Sequence, residues 1–324
     1  MKQISLWVTL GIGAFLSLDG ILFALWKGYT GRAFATTAAI LSVLFLSMLL
    51  FAARGVADTV ANIFGAGRSL FLGVFLFVLY VVYLFGTGAF ALPRLGIMAA
   101  LIFLPLALAL SGEKSAPGSW QDFLTIGSIW AFVKFGPSHY LWPYPGNRLG
   151  YVFTVLVAVN VAITTFLVAR RTKGIGYVIG WGRNWTIPVL GSFLLFGCVA
   201  IPLGISLHFI AFAPQWTEWA SFLGLSIGIL LFTAWPEEFL FRGLLHNLLA
   251  RSSKSELAGW WTSSALFGLS HITNGHSPNW RYVILATVAG LCYGWTWRKT
   301  NSIFASALVH AAVDVTWHFL FRTL

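Results

Sequence analysis

Two adjacent carboxylates stand inside one of the most apolar stretches of this chain. Glu237 and Glu238 are followed by Arg242, within hydrophobic sequence that runs from about residue 220 to residue 249. An ionisable side chain at membrane depth costs at least ~2.5–3.5 kcal/mol on insertion scales, so by default it marks a functional site. The spacing of Glu238 and Arg242 suits an i,i+4 ion pair, which would neutralise one carboxylate and leave Glu237 for chemistry.

Two later patterns supply histidines and a third carboxylate. Phe267 precedes His271 by four residues, and His310 precedes Asp314 by four, so each pair is expected to share one helical face. We expect the loops with an excess of Lys and Arg to be cytoplasmic. Counted from those loops, the helical rise places Glu237 and both histidines about 14–22 Å deep. Three separate elements are therefore expected to deliver polar groups to one layer.

These residue types at one depth are the groups that hydrolysis requires. Glu237, desolvated beside a like charge, is suited to act as a general base on water. His271 is suited to share that water or to donate a proton to a leaving amine. His310 and Asp314 are suited to polarise a carbonyl or to stabilise an oxyanion. The candidate catalytic residues, placed around a water-filled intramembrane cavity, are Glu237, Glu238, Arg242, His271, His310 and Asp314.

The composition places these residues in a membrane protein. Charged residues are 9% of the chain and apolar residues 58%, whereas soluble domains carry roughly 25% charge. There are 16 Trp and 29 Phe, and the mean hydropathy is +0.83. We predict an all-α polytopic membrane protein with about 8–10 transmembrane helices of roughly 20 residues each. We expect a bacterial inner or plasma membrane rather than the endoplasmic reticulum.

The net charge of +11 raises the question of a nucleic-acid partner. The basic residues are scattered at the ends of spans and do not form a cluster. This distribution is typical of anchors on the cytoplasmic side and of contacts with anionic lipids. The lipid bilayer is therefore an expected partner, and nucleic acid is not.

Hydrophobic segments divide the chain into ten expected spans. They lie near residues 4–26, 33–53, 69–92, 95–111, 149–169, 186–213, 218–250, 258–272, 281–297 and 301–321. The element at 218–250 would be ~50 Å long as one helix, so we expect Pro236 to kink or break it. The element at 258–272 is short and is expected to stop within the membrane. The polar segment 112–148 is expected to form an ordered interfacial cap.

Taken together, the three polar patterns resemble those of a known family. The sequence reads EExxxR at Glu237, FxxxH ending at His271, and Hxxx(N/D) starting at His310. In this order on membrane spans, these patterns resemble the CPBP family of intramembrane proteases, also called the Abi or type II CAAX-protease family. The run from Gly294 to His310 is also typical of that family.

The resemblance suggests a division of the chain into two parts. It covers roughly residues 186–321, which we predict to be a CPBP-type intramembrane protease core. Residues 1–185 carry no matching motif, and we predict that they form an N-terminal transmembrane extension that includes the loop 112–148.

The resemblance implies an activity and a set of roles. It implies an all-helical core around a conical cavity, and an endopeptidase that cleaves near the C-terminus of a membrane-embedded, membrane-tethered or lipidated protein. It implies that Glu237 and His271 activate the water, and that His310 and the residue four positions later form the oxyanion hole. That residue is Asp314, and an ionised Asp cannot donate a hydrogen bond. Asp314 is then either protonated, or it orients His310, or it helps to hold a cation.

Three alternatives to metal-free hydrolysis stay open. Glu237, His271 and His310 could bind zinc with an open fourth position. The chain has no H-E-x-x-H pattern, which favours a metal-free, glutamate-activated water and no cofactor. A non-catalytic membrane immunity or interaction protein on the same fold is the second alternative. A proton-coupled transporter is the third, although the polar motifs are not repeated in the N-terminal half.

Overall fold

The protein is built mainly of helices. The computed structural model describes residues 2–215 and 221–324. Its helices are α1 Leu6–Trp26, α2 Gly31–Leu50, α3 Val56–Thr87, α4 Leu92–Ser111, α5 Trp120–Phe135, α6 Ser138–Leu141, α7 Gly150–Ala169, α8 Thr186–Ser206, α9 Phe222–Ser253, α10 Glu256–Leu269, α11 Trp280–Thr300 and α12 Ile303–Leu320. Its short strands are β1 Lys2–Gln3, β2 Gly180–Trp181, β3 Ile210–Phe212 and β4 Phe321–Thr323.

Eight helices of the described residues are long and apolar enough to cross a membrane. They are α1, α2, α3, α4, α7, α8, α9 and α12. The predicted all-α polytopic fold is confirmed. The predicted spans at 258–272 and 281–297 correspond to α10 and α11, which are not among the eight.

The chain divides into two compact units. Gln3–Lys173 form the N-terminal unit, and Gly174–Leu324 form the C-terminal unit. The division falls before residue 185 because the loop after Lys173 packs within the C-terminal unit. The carbonyl of Gly176 accepts a hydrogen bond from the N–H of Ile303 at 2.9 Å. Gly176 has a φ of +75°, and a Cβ there would lie 2.5 Å from a backbone oxygen, so only glycine fits this approach.

The segment 112–148 of the N-terminal unit is ordered and contains the helices α5 and α6. Ser119 and Asp122 form a capping box at the start of α5. Asp122 is buried and pairs with Arg170 at the end of α7, with 2.8 Å between Oδ1 and Nε. Arg170 also donates to the carbonyl groups of Gly112 and Ser115. This ion pair therefore fastens the segment to α7.

Of the kink or break predicted at Pro236, the break is wrong, because α9 is one helix from Phe222 to Ser253. The backbone just before and just after the proline is in the right-handed helical region, with φ of −62° at Trp235 and −66° at Glu238. Two wider π-helical stretches, Leu230–Ala234 and Phe239–His246, flank the proline. Proline has no N–H to donate, and π-helical turns accommodate such an interruption without ending the helix. Residues 218–220, at the start of the predicted span, lie outside the described residues.

The helix α10 is short, as predicted, and ends at Leu269. His271 lies in the turn that follows, where its N–H donates to the carbonyl of Gly268 at 3.0 Å. Its side chain turns back, so that Nδ1 lies 2.8 Å from the carbonyl oxygen of Phe267. His271 is therefore presented by a turn at the end of a helix and not by a helical face.

Close helix packing positions the elements of the C-terminal unit. A Cβ at Gly290 would lie 3.1 Å from the backbone of Ser264, so α11 and α10 approach closely at this glycine. The strands β3 and β4 pair antiparallel, with Ile210 opposite Thr323. This pairing connects the end of α12 to the segment that follows α8.

Candidate active site

The carboxylate of Glu238 is completely buried and is held by three residues. The Nε atom of Arg242 lies 3.2 Å from Oε2 of Glu238, and both side chains are 0% exposed. The hydroxyl of Ser306 donates to Oε2 at 2.6 Å, and Nδ1 of His310 lies 3.0 Å from Oε1. The predicted i,i+4 ion pair is confirmed, and two partners from α12 complete it. A buried charge needs this degree of pairing because desolvation is costly.

The guanidinium of Arg242 lies against aromatic rings. Its central carbon is 4.6 Å from the ring centroid of Phe267 and 5.6 Å from that of Tyr293. Its Nη2 donates to the carbonyl of Gly290 at 3.4 Å. The cation is therefore enclosed by α9, α10 and α11, where cation–π contacts add to the ion pair.

His310 lies between carboxylates on both sides of its ring. Nδ1 faces Glu238, whereas Nε2 lies 3.5 Å from Oδ2 of Asp314 and 3.9 Å from Oε2 of Glu237. The ring stacks on Tyr293 with centroids 4.6 Å apart and planes 17° apart. Carboxylates only accept hydrogen bonds, so this position favours the doubly protonated ring, which has two donors.

Exposure separates the carboxylates into two kinds. The side chain of Glu238 is 0% exposed, whereas those of Glu237 and Asp314 are 30% and 36% exposed. A substrate or a water can therefore reach Glu237 and Asp314 but not Glu238. The contact of Asp314 with Nε2 of His310 fits the alternative in which Asp314 orients that histidine.

His271 joins this group through aromatic contacts. Its ring centroid lies 4.9 Å from that of Phe267, and the same Phe267 ring lies 5.7 Å from the ring of His310. The structure thus brings five of the predicted residues together, namely Glu237, Glu238, Arg242, His310 and Asp314. His271 is half-buried and contacts Phe267, and the same Phe267 contacts both Arg242 and His310.

A second polar cluster ties the helices that carry the site to one another. His246 of α9 is fully buried, and its Nε2 lies 3.1 Å from Oε1 of Glu256, the first residue of α10. Nε of Arg298 in α11 lies 3.2 Å from the same oxygen. These contacts hold α9, α10 and α11 together beyond the layer that contains Glu238 and His310.

Sequence reasoning missed the residues that support the site from other elements. Ser306 and Tyr293 hold Glu238 and His310, yet neither belongs to one of the three polar patterns. Ser306 precedes His310 by four residues, so helical spacing was a signal that could have placed it on the same face. Tyr293 belongs to a different helix, and nothing in the local sequence indicates its contact.

The zinc alternative requires Glu237, His271 and His310 to surround one ion. In the described ranges, no three His, Cys, Asp or Glu side chains are placed to hold one metal ion. Both ring nitrogens of His310 already face carboxylate oxygens. A zinc ligand is a neutral histidine that directs a lone pair at the metal about 2.0–2.1 Å away. The set Glu237, His271 and His310 does not fit zinc in this arrangement, and we derive no step through a metal.

Comparison with known proteins identifies the region that carries the site. Residues 218–316 match the family described as Type II CAAX prenyl endopeptidase Rce1-like. The match is shorter than the predicted core at 186–321, but it includes every predicted catalytic residue. Comparison with curated proteins gives no match, and comparison with solved structures gives none. This multi-pass membrane protein therefore carries, at residues 218–316, an Rce1-like domain of the CPBP/Abi family, a family of CAAX-type intramembrane endopeptidases.

Proposed function

We propose that this protein hydrolyses a peptide bond near the C-terminus of a membrane-tethered or lipidated protein, through a water activated by Glu237. One observation carries the proposal: the carboxylate of Glu237, which is 30% exposed, lies beside the fully buried ion pair of Glu238 and Arg242. Oε2 of Glu237 is 3.9 Å from Nε2 of His310, which is beyond direct hydrogen-bond distance. The lone pairs of Glu237 are thus available to a water, whereas both carboxylate oxygens of Glu238 already have partners.

The reaction follows from these positions. Glu237 takes a proton from the water, the water oxygen forms a bond to the carbonyl carbon, and the carbonyl electron pair moves to its oxygen. His310 faces this oxygen with Nε2–H. When the tetrahedral intermediate collapses, the C–N bond breaks and the amine receives a proton from Glu237 or His271. General acid–base catalysis by a positioned side chain contributes about 10²–10⁴ to such a rate.

The paired residues give this site its geometry. Arg242 and Ser306 hold Glu238, and Glu238 holds Nδ1 of His310, so that Nε2 points to the exposed side. Asp314 faces the same Nε2 and orients the ring. No resident cofactor is required by this sequence of steps.

A cavity beside α12 supports the proposal that the substrate is lipidated. An apolar cavity of about 230 Å³ lies between α8 and α12. Its lining includes Phe193, Gly197, Cys198, Val313, Thr316 and Trp317. Val313 is adjacent to Asp314, so a hydrocarbon chain in this cavity would lie close to the catalytic layer. Burial of a hydrocarbon chain contributes about 0.8 kcal/mol for each CH₂ group, which suits recognition of a prenyl or similar lipid.

The experiment is cleavage of a membrane-tethered reporter by purified protein in proteoliposomes. The reporter carries an S-farnesylated CAAX C-terminus, and the variants are Glu237→Gln and His271→Ala. We expect the wild type to cleave it and Glu237→Gln to be slower by about 10²–10⁴, the contribution of a general base. Glu113→Gln removes an exposed carboxylate outside the site and is the matched control. Equal processing by the wild type and Glu237→Gln would exclude the proposed reaction.

A further inference from the structure

A tyrosine that belongs to none of the three polar patterns packs against His271. Tyr282 lies near the start of α11, and its ring centroid is 4.8 Å from that of His271. The ring also stacks with Trp317 of α12, with centroids 6.3 Å apart and planes 14° apart. The phenol lies within electrostatic range of the carboxylates of Asp314 and Glu237. Tyr282 is half-buried.

The turn that carries His271 also fixes Tyr282. The side chain of Asn279 caps α11 by accepting from the N–H of Tyr282 at 3.1 Å, and it donates to the carbonyl of Asn274 at 2.9 Å. The side chain of Asn274 lies next to the Tyr282 phenol. An amide N–H that donates to the phenol oxygen leaves the phenol O–H for a second acceptor. The turn that carries His271 therefore also positions Tyr282.

The proposed hydrolysis needs such a donor. Negative charge develops on the carbonyl oxygen, and preorganised hydrogen-bond donors stabilise it. The exposed carboxylates of Glu237 and Asp314 cannot donate when they are ionised. Arg242 is fully buried and faces Glu238, so a substrate cannot reach it, whereas Nε2 of His310 faces the exposed carboxylates. A second donor is expected from a neutral group beside Asp314, and a phenol is such a group.

We propose that Tyr282 is a catalytic residue whose hydroxyl donates a hydrogen bond to the oxyanion, opposite His310, where Asp314 provides no donor. The inference rests on the proposed function. The phenol proton stays on Tyr282 throughout: the carbonyl electron pair moves to oxygen as water adds, and it returns when the C–N bond breaks. The ring packs against His271 and Trp317, and the hydroxyl acts on the substrate.

The test compares the wild type with Tyr282→Phe, which keeps the ring and removes only the hydroxyl. The full-length protein in proteoliposomes cleaves a quenched fluorescent peptide with an S-farnesylated CAAX C-terminus. We expect kcat to fall about 100-fold, as for the loss of one oxyanion donor, with KM unchanged. A phosphinate peptide, which resembles the tetrahedral intermediate, should bind more weakly by a similar factor. Tyr140→Phe, which alters a 41% exposed tyrosine of the N-terminal unit, is the matched control.

Two results would overturn this role. Unchanged kcat in Tyr282→Phe would show that the hydroxyl does not act in the reaction. An equal loss of affinity for the substrate peptide and the phosphinate, with a lower Tm, would show that it only supports the fold. Failure of the proposed function is distinct, because the wild type would then cleave no faster than Glu237→Gln.

Discussion

Each compact unit contains a buried pair of a carboxylate and an arginine, and the two pairs differ in what surrounds them. In the N-terminal unit, Asp122 and Arg170 are 2.8 Å apart, and backbone carbonyl groups accept the remaining guanidinium protons. In the C-terminal unit, Glu238 and Arg242 are 3.2 Å apart, and they lie beside Glu237, His310 and Asp314.

The difference shows that a buried ion pair does not by itself mark a reaction site. Asp122 and Arg170 balance each other, and their hydrogen bonds close a loop onto a helix. The C-terminal pair instead lies beside further titratable groups, and two of these, Glu237 and Asp314, are 30% and 36% exposed. The unbalanced, accessible groups are the ones that can exchange protons with a substrate.

The largest effect should come from breaking the C-terminal pair. Arg242→Met leaves Glu238 buried without its cation, so we expect the free energy of unfolding to fall by about 3–5 kcal/mol and cleavage to be lost. Unfolding in bicelles and reporter cleavage measure the two effects. The double variant Glu238→Gln/Arg242→Met should regain stability but not cleavage, because His310 loses its carboxylate partner. Wild-type stability in Arg242→Met would contradict this account of the pair.

The N-terminal pair should affect stability alone. Asp122→Asn leaves Arg170 without its carboxylate, and we expect a loss of about 3–5 kcal/mol in the free energy of unfolding. Cleavage per folded molecule should stay at the wild-type level. Glu113→Gln, an exposed carboxylate, should change stability by no more than about 0.5 kcal/mol. Loss of cleavage in folded Asp122→Asn would remove the distinction between the two pairs.

The apolar cavity of the C-terminal unit should affect substrate binding. Gly197→Leu places a side chain at the cavity, where a Cβ has its nearest contact at 3.9 Å. We expect KM for the farnesylated peptide to rise about 10-fold, the effect of a few displaced methylene contacts, with kcat unchanged. Gly191→Leu, on the same helix, adds a side chain in open space and is the control. Equal KM values for both variants would argue against a lipid in this cavity.

The smallest effect should come from metal removal. Since no three metal-ligand side chains of the described residues are placed around one ion, we expect the cleavage rate to be the same before and after dialysis against a chelator. The rate is measured with the same farnesylated peptide. A loss of activity that added zinc restores would support the alternative with Glu237, His271 and His310.

Features governed by spacing along one helix could be predicted from the sequence. The pairing of Glu238 with Arg242 follows from the i,i+4 rule, and it is present. The meeting of Glu237 with His310 and Asp314 follows from their similar depths in the membrane, and these groups are also together. Both predictions depend on helical geometry, which the sequence encodes locally.

Features governed by contacts between elements could not be predicted. Asp122 stands in a polar segment, and its burial depends on Arg170, which is 48 residues away. The stacking of Tyr293 on His310 and of Tyr282 on His271 has no periodic signal. At Pro236 the local rule for proline predicted a kink or a break, but α9 is not broken there and has π-helical turns on both sides.

The most direct test of the central claim compares Glu237→Gln with Asp122→Asn in one assay. Cleavage of the farnesylated reporter is normalised to the folded fraction of each purified protein. We expect Glu237→Gln to keep the wild-type fold and to lose cleavage by about 10²–10⁴, whereas folded Asp122→Asn should cleave like the wild type. Wild-type cleavage by Glu237→Gln would contradict a glutamate-activated water at this site.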